Sequence, residues 1–287
     1  MTLSRRDALS AARGRLLRGG VRNAEQEARW LVERALGLTS AALVAYPERP
    51  LNQREAEAVE ALLLRREAGE PLQYILGEAP FFGRDFHVGP GVLIPRPDTE
   101  ALIEAALSLL PRGVPLTFLD WGTGSGCIGA TLLLELPRSF AFMADKSPEA
   151  LDYARANLAR YGLEGRARLL RTETPEDITV RGECGLVISN PPYIPTGAIP
   201  QLMREVRDHE PRLALDGGPD GMDCYRLLLA HAPLWLRPGG HLILEAGDEA
   251  QAAALTSLAG QSGGFAPLDT PGASLAGACC VALRYLG

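Results

Sequence analysis

Two stretches of this 287-residue sequence combine residue types and spacing that can do chemistry. The first is ISNPPYIP, residues 188–195, where an apolar run through Val187 and Ile188 meets Asn190-Pro191-Pro192-Tyr193. A residue before proline is pushed into extended geometry, and each proline fixes its own φ and offers no N–H. The tetrad is therefore a stiff arm presenting oxygen acceptors, the Asn190 side-chain carbonyl and the Pro191 backbone carbonyl. Two acceptors match the two N–H donors of a planar NH2 group such as an amide. Such a nitrogen is a poor nucleophile because its lone pair is delocalised. Held by both N–H groups, it points that lone pair at an electrophile, and the acceptors stabilise the developing positive charge, which is oxyanion-hole logic with the sign reversed. Tyr193 can cover the planar group with its ring and exclude water. Alignment alone can lower a barrier by up to about 7–11 kcal/mol, so an activated electrophile such as a sulfonium methyl needs no nucleophilic Ser or Cys. In isolation, the same letters also fit a proline turn with a packed tyrosine.

The second stretch is Gly122-Thr123-Gly124-Ser125-Gly126-Cys127-Ile128-Gly129, which follows the apolar LTFLDW and precedes a helical segment. Glycines let the backbone turn tightly and let a ligand approach peptide groups without meeting a Cβ, and free N–H groups at a helix start hold a carboxylate or phosphate. Asp145 closes the next apolar run, where an acid reaches ribose hydroxyls. The pattern does not choose a cofactor, since Gly124, Gly126 and Gly129 also satisfy the dinucleotide spacing. Asp120, just before the glycines, either orients the loop or meets a cofactor amino group.

The elements that must position these groups are legible from periodicity. LTFLDW, FAFMAD, ARLLR, GLVIS and HLILEA read as short strands, and they alternate with helices from about Cys127, from Pro148 to Tyr161 and from about Cys224. That alternation means a parallel sheet with right-handed crossovers and helices on both faces, with ligands at the carboxyl ends of the strands. In such a doubly wound sheet Asn190 lies beside the glycine loop, across the switch-point crevice.

Residues 1–76 read differently, as a small helical domain in which Ala28, Leu31, Val32, Ala35 and Leu36 recur at helical steps. Asn23 with Gln26 suggests a capping pair, and Tyr46-Pro47-Glu48-Arg49-Pro50 a break between helices. Residues 77–97, containing PFFGRDFHVGPGVLIPRP, suggest a hairpin linker, and residues 98–287 the catalytic domain, entered by a helix at about Asp98 with Asp98 as its N-cap. The tail from Ala250 is weakly patterned.

Charge and cysteine usage narrow the function classes. Residues 1–76 carry 12 basic and 10 acidic groups, and the remainder 17 and 25, a balance of -8. Neutralising phosphates supplies most nucleic-acid affinity, so a working domain of that sign argues against gripping nucleic acid. Five cysteines without a CxxC pair and four scattered histidines support neither a disulfide framework nor a zinc site. The arginine-rich start and the lack of an 18-residue apolar run lead us to expect a cytoplasmic protein, with no membrane segment and no metal.

A wider set of segments resembles one family. LQYILG (72–77), VLIPRPDTE (92–100), DWGTGSGCIG (120–129), the strand-end Asp145, ISNPPYIP (188–195) and HEPRLALDGGPDG (209–221) are together similar to the protein-(glutamine-N5) methyltransferases that modify peptide chain release factors. The likeness runs from about residue 4 to 250. It implies a class I S-adenosylmethionine-dependent methyltransferase: an α/β, Rossmann-like fold with a mostly parallel seven-stranded sheet, and a small N-terminal helical bundle, joined by a β-hairpin, that binds the protein substrate. It further implies that Gly122, Thr123, Gly124, Ser125 and Gly126 line S-adenosylmethionine, with Asp145 on its ribose and Glu173, in RTETPED, near its adenine. Asn190, Pro191, Pro192 and Tyr193 then hold the glutamine amide of a Gly-Gly-Gln motif in class 1 release factors, Asn190 also meeting the cofactor. Arg96, Pro97 and Thr99 border the cofactor. The sequence departs from the family at Trp121, where a smaller aliphatic is usual, at Gly185, which replaces an Asp, and in SLAGACCVALRY (274–285), which replaces a more charged hairpin.

The competing expectations are an amino methyltransferase acting on adenine N6 or guanine N2 in nucleic acid, and a non-catalytic cofactor-binding protein. The first needs phosphate contacts and a route for an extruded base, which the acidic balance and the lack of a basic, aromatic-rich insertion disfavour. The second is disfavoured by the retained Asn190. A nicotinamide oxidoreductase fits the glycines but leaves NPPY unexplained. We expect a monomer that does not bind nucleic acid directly.

Overall fold

A computed structural model describes residues 3–269, 274–275 and 278–287, which divide into two units. The first comprises Met1–Glu78 and Met203–His209. Its helices are α1 (Arg5–Arg18), α2 (Ala24–Leu36), α3 (Ser40–Ala45), α4 (Gln53–Glu67) and α5 (Leu72–Leu76). Capping boxes start two of them: Ser4 and Asp7 form one on α1, Asn52 and Glu55 one on α4. The expected pair at Asn23 is not a cap. Asn23 sits at φ -103, ψ 38 rather than in the extended conformation that folds a cap side chain over the first turn, and it makes no capping bond. The Tyr46–Pro50 break falls between α3 and α4, as read.

Ala12, Leu16, Ala28, Leu31, Val59 and Leu63 form the core of this unit. Each buried Leu or Val stabilises it by about 1.5–3 kcal/mol. Arg66 is buried beneath its surface, with Nε 2.7 Å from Glu27 and Nη2 2.7 Å from Glu205 of the short returning segment.

The second unit is Ala79–Leu202 with Glu210–Gly287. It opens with a hairpin, β1 (Glu78–Phe81) and β2 (Arg84–His87). Phe82 and Gly83 at its tip both have positive φ, 49° and 69°, the backbone of a tight hairpin turn. The Phe82 N–H donates to Glu100 Oε1 at 2.7 Å, and Phe81 and Phe86 are buried in the core. A 3-10 turn, Pro97–Thr99, leads into α6 (Glu100–Leu109), so Asp98 lies inside that turn and not at the helix N-cap.

The main sheet uses β3 (Leu116–Trp121), β4 (Ser139–Asp145), β5 (Ala167–Arg171), β6 (Cys184–Ser189), β7 (Leu236–Ala246), β8 (Phe265–Leu268), the two-residue β9 (Ser274–Leu275) and β10 (Ala278–Tyr285). Seven strands lie in the order β5-β4-β3-β6-β7-β10-β8, with β9 paired to β10. The pairs from β5 to β7 are parallel, and β10 runs antiparallel between β7 and β8. Between them run α7 (Cys127–Glu135), α8 (Pro148–Arg160), α9 (Arg204–His209, the returning segment of the first unit), α10 (Asp223–Trp235) and α11 (Glu249–Ser262).

Period-two alternation sends neighbouring strand residues to opposite faces. Phe118, Ile188 and Ile243 join the core of α6, α7 and α8, while Leu119, Val187 and Leu242 join that of α10 and α11. The tail from Ala250, weakly patterned in sequence, is α11 followed by β8 and β10. Among the described residues of α11 Leu255 and Ala259 are the buried ones, too few for a periodic signal. Of SLAGACCVALRY, residues 276 and 277 lie outside the described residues.

Candidate active site

The strand order reverses between β3 and β6, and a cavity of about 310 Å3 opens at their carboxyl ends. Gly122, Thr123, Gly124, Ser125, Asp145, Glu173, Asn190 and Pro192 line it, with Arg96, Thr99 and Trp121. Gly126, Pro191 and Tyr193 do not.

The floor is the glycine loop. Ala144 O accepts from both Gly122 N–H and Thr123 N–H at 2.9 Å, folding the loop back onto β4. Gly122 and Gly124 have φ of 69° and 55°, and a Cβ at either would stand in open space, so the peptide faces are accessible to a ligand. Gly126 serves packing instead: its Cβ would stand 3.1 Å from the Ala154 backbone of α8.

Two acids hold this loop. Asp145 takes the Gly124 N–H on Oδ2 at 2.8 Å and the Ser147 N–H on Oδ1 at 2.9 Å, and burial raises its pKa. Asp120 is fully buried and takes Thr123 Oγ1–H at 2.6 Å and Gly129 N–H at 3.0 Å on Oδ2. Burial pushes its carboxyl up to about 7. Asp120 thus orients the loop, the first of the two roles open to it in the sequence. Glu173 stands at the exposed rim, 3.1 Å from Arg171 and 3.9 Å from Lys146.

Opposite the loop stands the proline arm. Ser189 Oγ–H donates to Trp121 O at 2.6 Å, joining the end of β6 to that of β3. Asn190 Nδ2 then donates to Thr99 Oγ1 at 3.0 Å, which occupies one face of its amide. Tyr193 turns away from the cavity wall, its hydroxyl 3.4 Å from Glu245 Oε1 and its carbonyl accepting from Gln251 Nε2 at 3.0 Å. Glycines make room for it. A Cβ on Gly247 would fall 2.9 Å from the Tyr193 ring, and one on Gly217 would fall 2.8 Å from Tyr193 Cα.

The segment 209–221 braces the arm. Ile194 N–H donates to Leu215 O at 3.0 Å, Gly217 N–H to Ile194 O at 2.9 Å, and Thr196 Oγ1–H to Asp216 Oδ1 at 2.6 Å. Glu210, buried, takes Arg96 Nη2–H at 2.5 Å and Ile94 N–H at 3.3 Å, fixing the IPRP segment.

Sequence reasoning missed three contributors. Asp145 ends its strand, and Glu245 and Asp120 stand one residue before the ends of theirs; that shared position was the signal for Glu245. Asn157 is a fully buried amide in the apolar stripe of α8, bonded to Ser125 and His87. Gln251 carried no sequence signal. Among the described residues no group of acids, histidines and cysteines could hold a metal. The five cysteines are free thiols, with Cys224 half-buried and the others buried.

Comparison with known proteins yields two family matches, described as "PrmC N-terminal domain" over residues 7–77 and "Methyltransferase small domain" over residues 99–209. The release factor glutamine methyltransferase of Geobacter sulfurreducens is 45% identical over 242 residues, 84% of each chain. That of Moorella thermoacetica is 45% identical over 266 residues, 92% of each chain. Among solved structures, a methyltransferase from Pyrococcus furiosus superimposes with a TM-score of 0.53 at 20% identity, over 79% of this chain and 98% of the other, a likeness of fold.

Proposed function

This chain belongs to the release factor glutamine methyltransferases, and from that premise we propose that Asn190, Pro191, Pro192 and Tyr193 hold the glutamine amide of a class 1 release factor's Gly-Gly-Gln motif while its N5 is methylated. The enzyme is a methyltransferase that uses S-adenosylmethionine. When bound, S-adenosylmethionine would supply an electrophilic sulfonium methyl for the amide nitrogen that the arm presents.

The residues present fit that cofactor. Gly122 to Ser125 offer a floor free of side chains, Asp145 lines the cavity with acceptor lone pairs toward a ribose, and Glu173 lies at the rim assigned to the adenine. Gly126 shapes the loop from beneath.

The observation that carries the reading is the use of Asn190. Thr99 takes an N–H of its amide, so Oδ1 is the acceptor left at the cavity, as a substrate NH2 requires. The Pro191 carbonyl is assigned the second N–H. Tyr193, anchored on Glu245 and boxed by glycines, stiffens the arm from behind. We assign residues 1–76 to substrate binding, residues 77–97 to a linker and residues 98–287 to catalysis, in a cytoplasmic monomer that does not bind nucleic acid directly. Among the described residues no helix is long and apolar enough to cross a membrane.

The test is transfer of label from S-adenosylmethionine to three acceptors: a release factor, the same factor with its motif Gln changed to Ala, and adenine-bearing DNA. Label on the intact factor alone is expected. Label on DNA, or undiminished label on the Ala variant, would overturn the assignment in favour of a nucleic-acid substrate or another protein site.

A further inference from the structure

A stiff arm is aimed from both its ends. Pro191 and Pro192 fix their own φ angles, so the tetrad has little freedom once those ends are set. The near end is set by Ser189, whose hydroxyl donates to Trp121 O at 2.6 Å. The far end is the Tyr193–Ile194 peptide, and one of the groups that hold it comes from α11, none of whose residues lines the cavity.

Gln251 is half-buried in the first turn of α11, where Asp248 Oδ1 takes its backbone N–H at 2.7 Å. Its Nε2 donates to Tyr193 O at 3.0 Å and to Gly221 O at 3.1 Å, and its Oε1 accepts from Gly247 N–H at 2.8 Å. An amide can be turned end for end without changing shape, but a carbonyl can only accept and a backbone N–H can only donate. These three backbone partners therefore leave Gln251 one orientation. One side chain thus joins the arm, the bracing segment 209–221 and the end of β7. The junction is closely built: a Cβ on Gly221 would collide with Tyr193 O and fall 2.9 Å from Gln251 Nε2.

The peptide at the far end is gripped on both edges. Ile194 N–H donates to Leu215 O at 3.0 Å on one side, and Tyr193 O receives Gln251 on the other. Without Gln251 one edge is free, and the peptide can turn about the remaining bond. That displacement reaches Asn190 through two prolines whose φ cannot absorb it.

We propose that Gln251 is a positioning residue for methyl transfer, holding the Tyr193 peptide so that the arm presents Asn190 Oδ1 to the substrate nitrogen. The inference rests on the reading that Asn190 grips the substrate amide. Gln251 acts through backbone groups, and its contribution is alignment, where a misplacement of about 1 Å can cost on the order of 10²-fold in rate.

The experiment uses the full-length protein, with a release factor as acceptor and rates referred to folded enzyme. Gln251→Leu keeps the bulk and removes all three bonds; Gln251→Glu keeps the shape and removes the NH2. Each is expected to lower kcat by roughly 10- to 100-fold. The Kd for S-adenosylmethionine should stay within roughly twofold, because the glycine loop is untouched, which separates positioning from cofactor binding. Leu255→Ala, which opens space on the buried face of the same helix, is expected to lower stability and leave kcat unchanged. In labelled protein, the Asn190 side-chain NH2 resonances are expected to move in both Gln251 variants and to stay in place in Leu255→Ala. An unchanged kcat or unmoved Asn190 resonances in a Gln251 variant would overturn the proposal. So would a Kd that rises in step with the loss of kcat, or a Leu255→Ala that loses as much kcat as Gln251→Leu. If neither Gln251 variant folds, Gly221→Ala, whose methyl crowds Gln251 Nε2 and Tyr193 O, is read in the same way. A wild type that ignores release factors would refute the substrate assignment, while the Asn190 resonances would still decide this inference.

Discussion

Asn157 Nδ2 donates to the Ser125 carbonyl at 2.8 Å, so an amide in the last turn of α8 holds the loop that floors the cavity. The same side chain exchanges two bonds with the backbone of His87, at 2.7 and 3.0 Å, tying the end of β2 to that loop. Three backbone groups thus depend on one side chain.

Replacing Asn157 with Leu keeps volume and orphans those groups. We expect a loss of about 3 kcal/mol, since each buried unsatisfied polar group costs roughly 1–3, read as a lowered urea midpoint at constant m. S-adenosylmethionine binding should weaken as well, because Ser125 loses its anchor. Unchanged stability would mean that the amide is not the tie.

Asn190→Ala removes the acceptor assigned to the substrate without touching the glycine loop. By comparison with a lost oxyanion-hole donor, kcat should fall about 10²–10³-fold. Calorimetric binding of S-adenosylmethionine should be nearly unchanged. Equal loss of both would make Asn190 a cofactor ligand first.

Gly247→Ala puts a methyl 2.9 Å from the Tyr193 ring, and Gly217→Ala puts one 2.8 Å from the Tyr193 backbone. Overpacking of this kind costs about 1–3 kcal/mol. The ring can be removed and the backbone cannot. Tyr193→Ala should therefore recover the stability of Gly247→Ala and leave Gly217→Ala impaired, a difference that a double-mutant cycle measures.

Asp120 and Glu245 make stability fall as pH rises. Their ordinary values are 3.8 and 4.5, and burial lifts both to about 7 in the folded protein. Between those limits the folded state holds protons that the unfolded chain has shed, so this contribution is fully present below about pH 4 and is lost as pH rises through 7. Urea unfolding at pH 5 and pH 8 should show the decline, and Asp120→Asn and Glu245→Gln should each flatten it. A slope that neither variant changes would place the protons elsewhere.

Much of this was legible locally. LTFLDW and ARLLR are strands with the bounds read from sequence, because alternation and flanking breakers are short-range signals. Pro148 starts α8 because its fixed φ suits a first turn. What escaped depends on partners distant in the chain. Thr99 and Asn190 are 91 positions apart, and nothing in either segment announces that one orients the other. The close approach of Tyr193 to Gly217 and Gly247 likewise joins segments that are distant in the chain. Asn23 has the residue type of a cap without the backbone of one. The stretch from β8 to β10 carries its register in antiparallel pairing with β7, a partner that periodicity cannot name.

The returning segment Met203–His209 imposes an order on biosynthesis. Glu205, one of the two carboxylates on Arg66, follows it by 139 positions. At ~5–20 residues per second, that separation is on the order of ten seconds of translation. Through that interval a nascent helical unit has Glu27 alone to balance Arg66, and its last piece leaves the ribosome shortly after the proline arm. Completion of the amino-terminal unit is thereby timed to the emergence of the segment carrying Asn190.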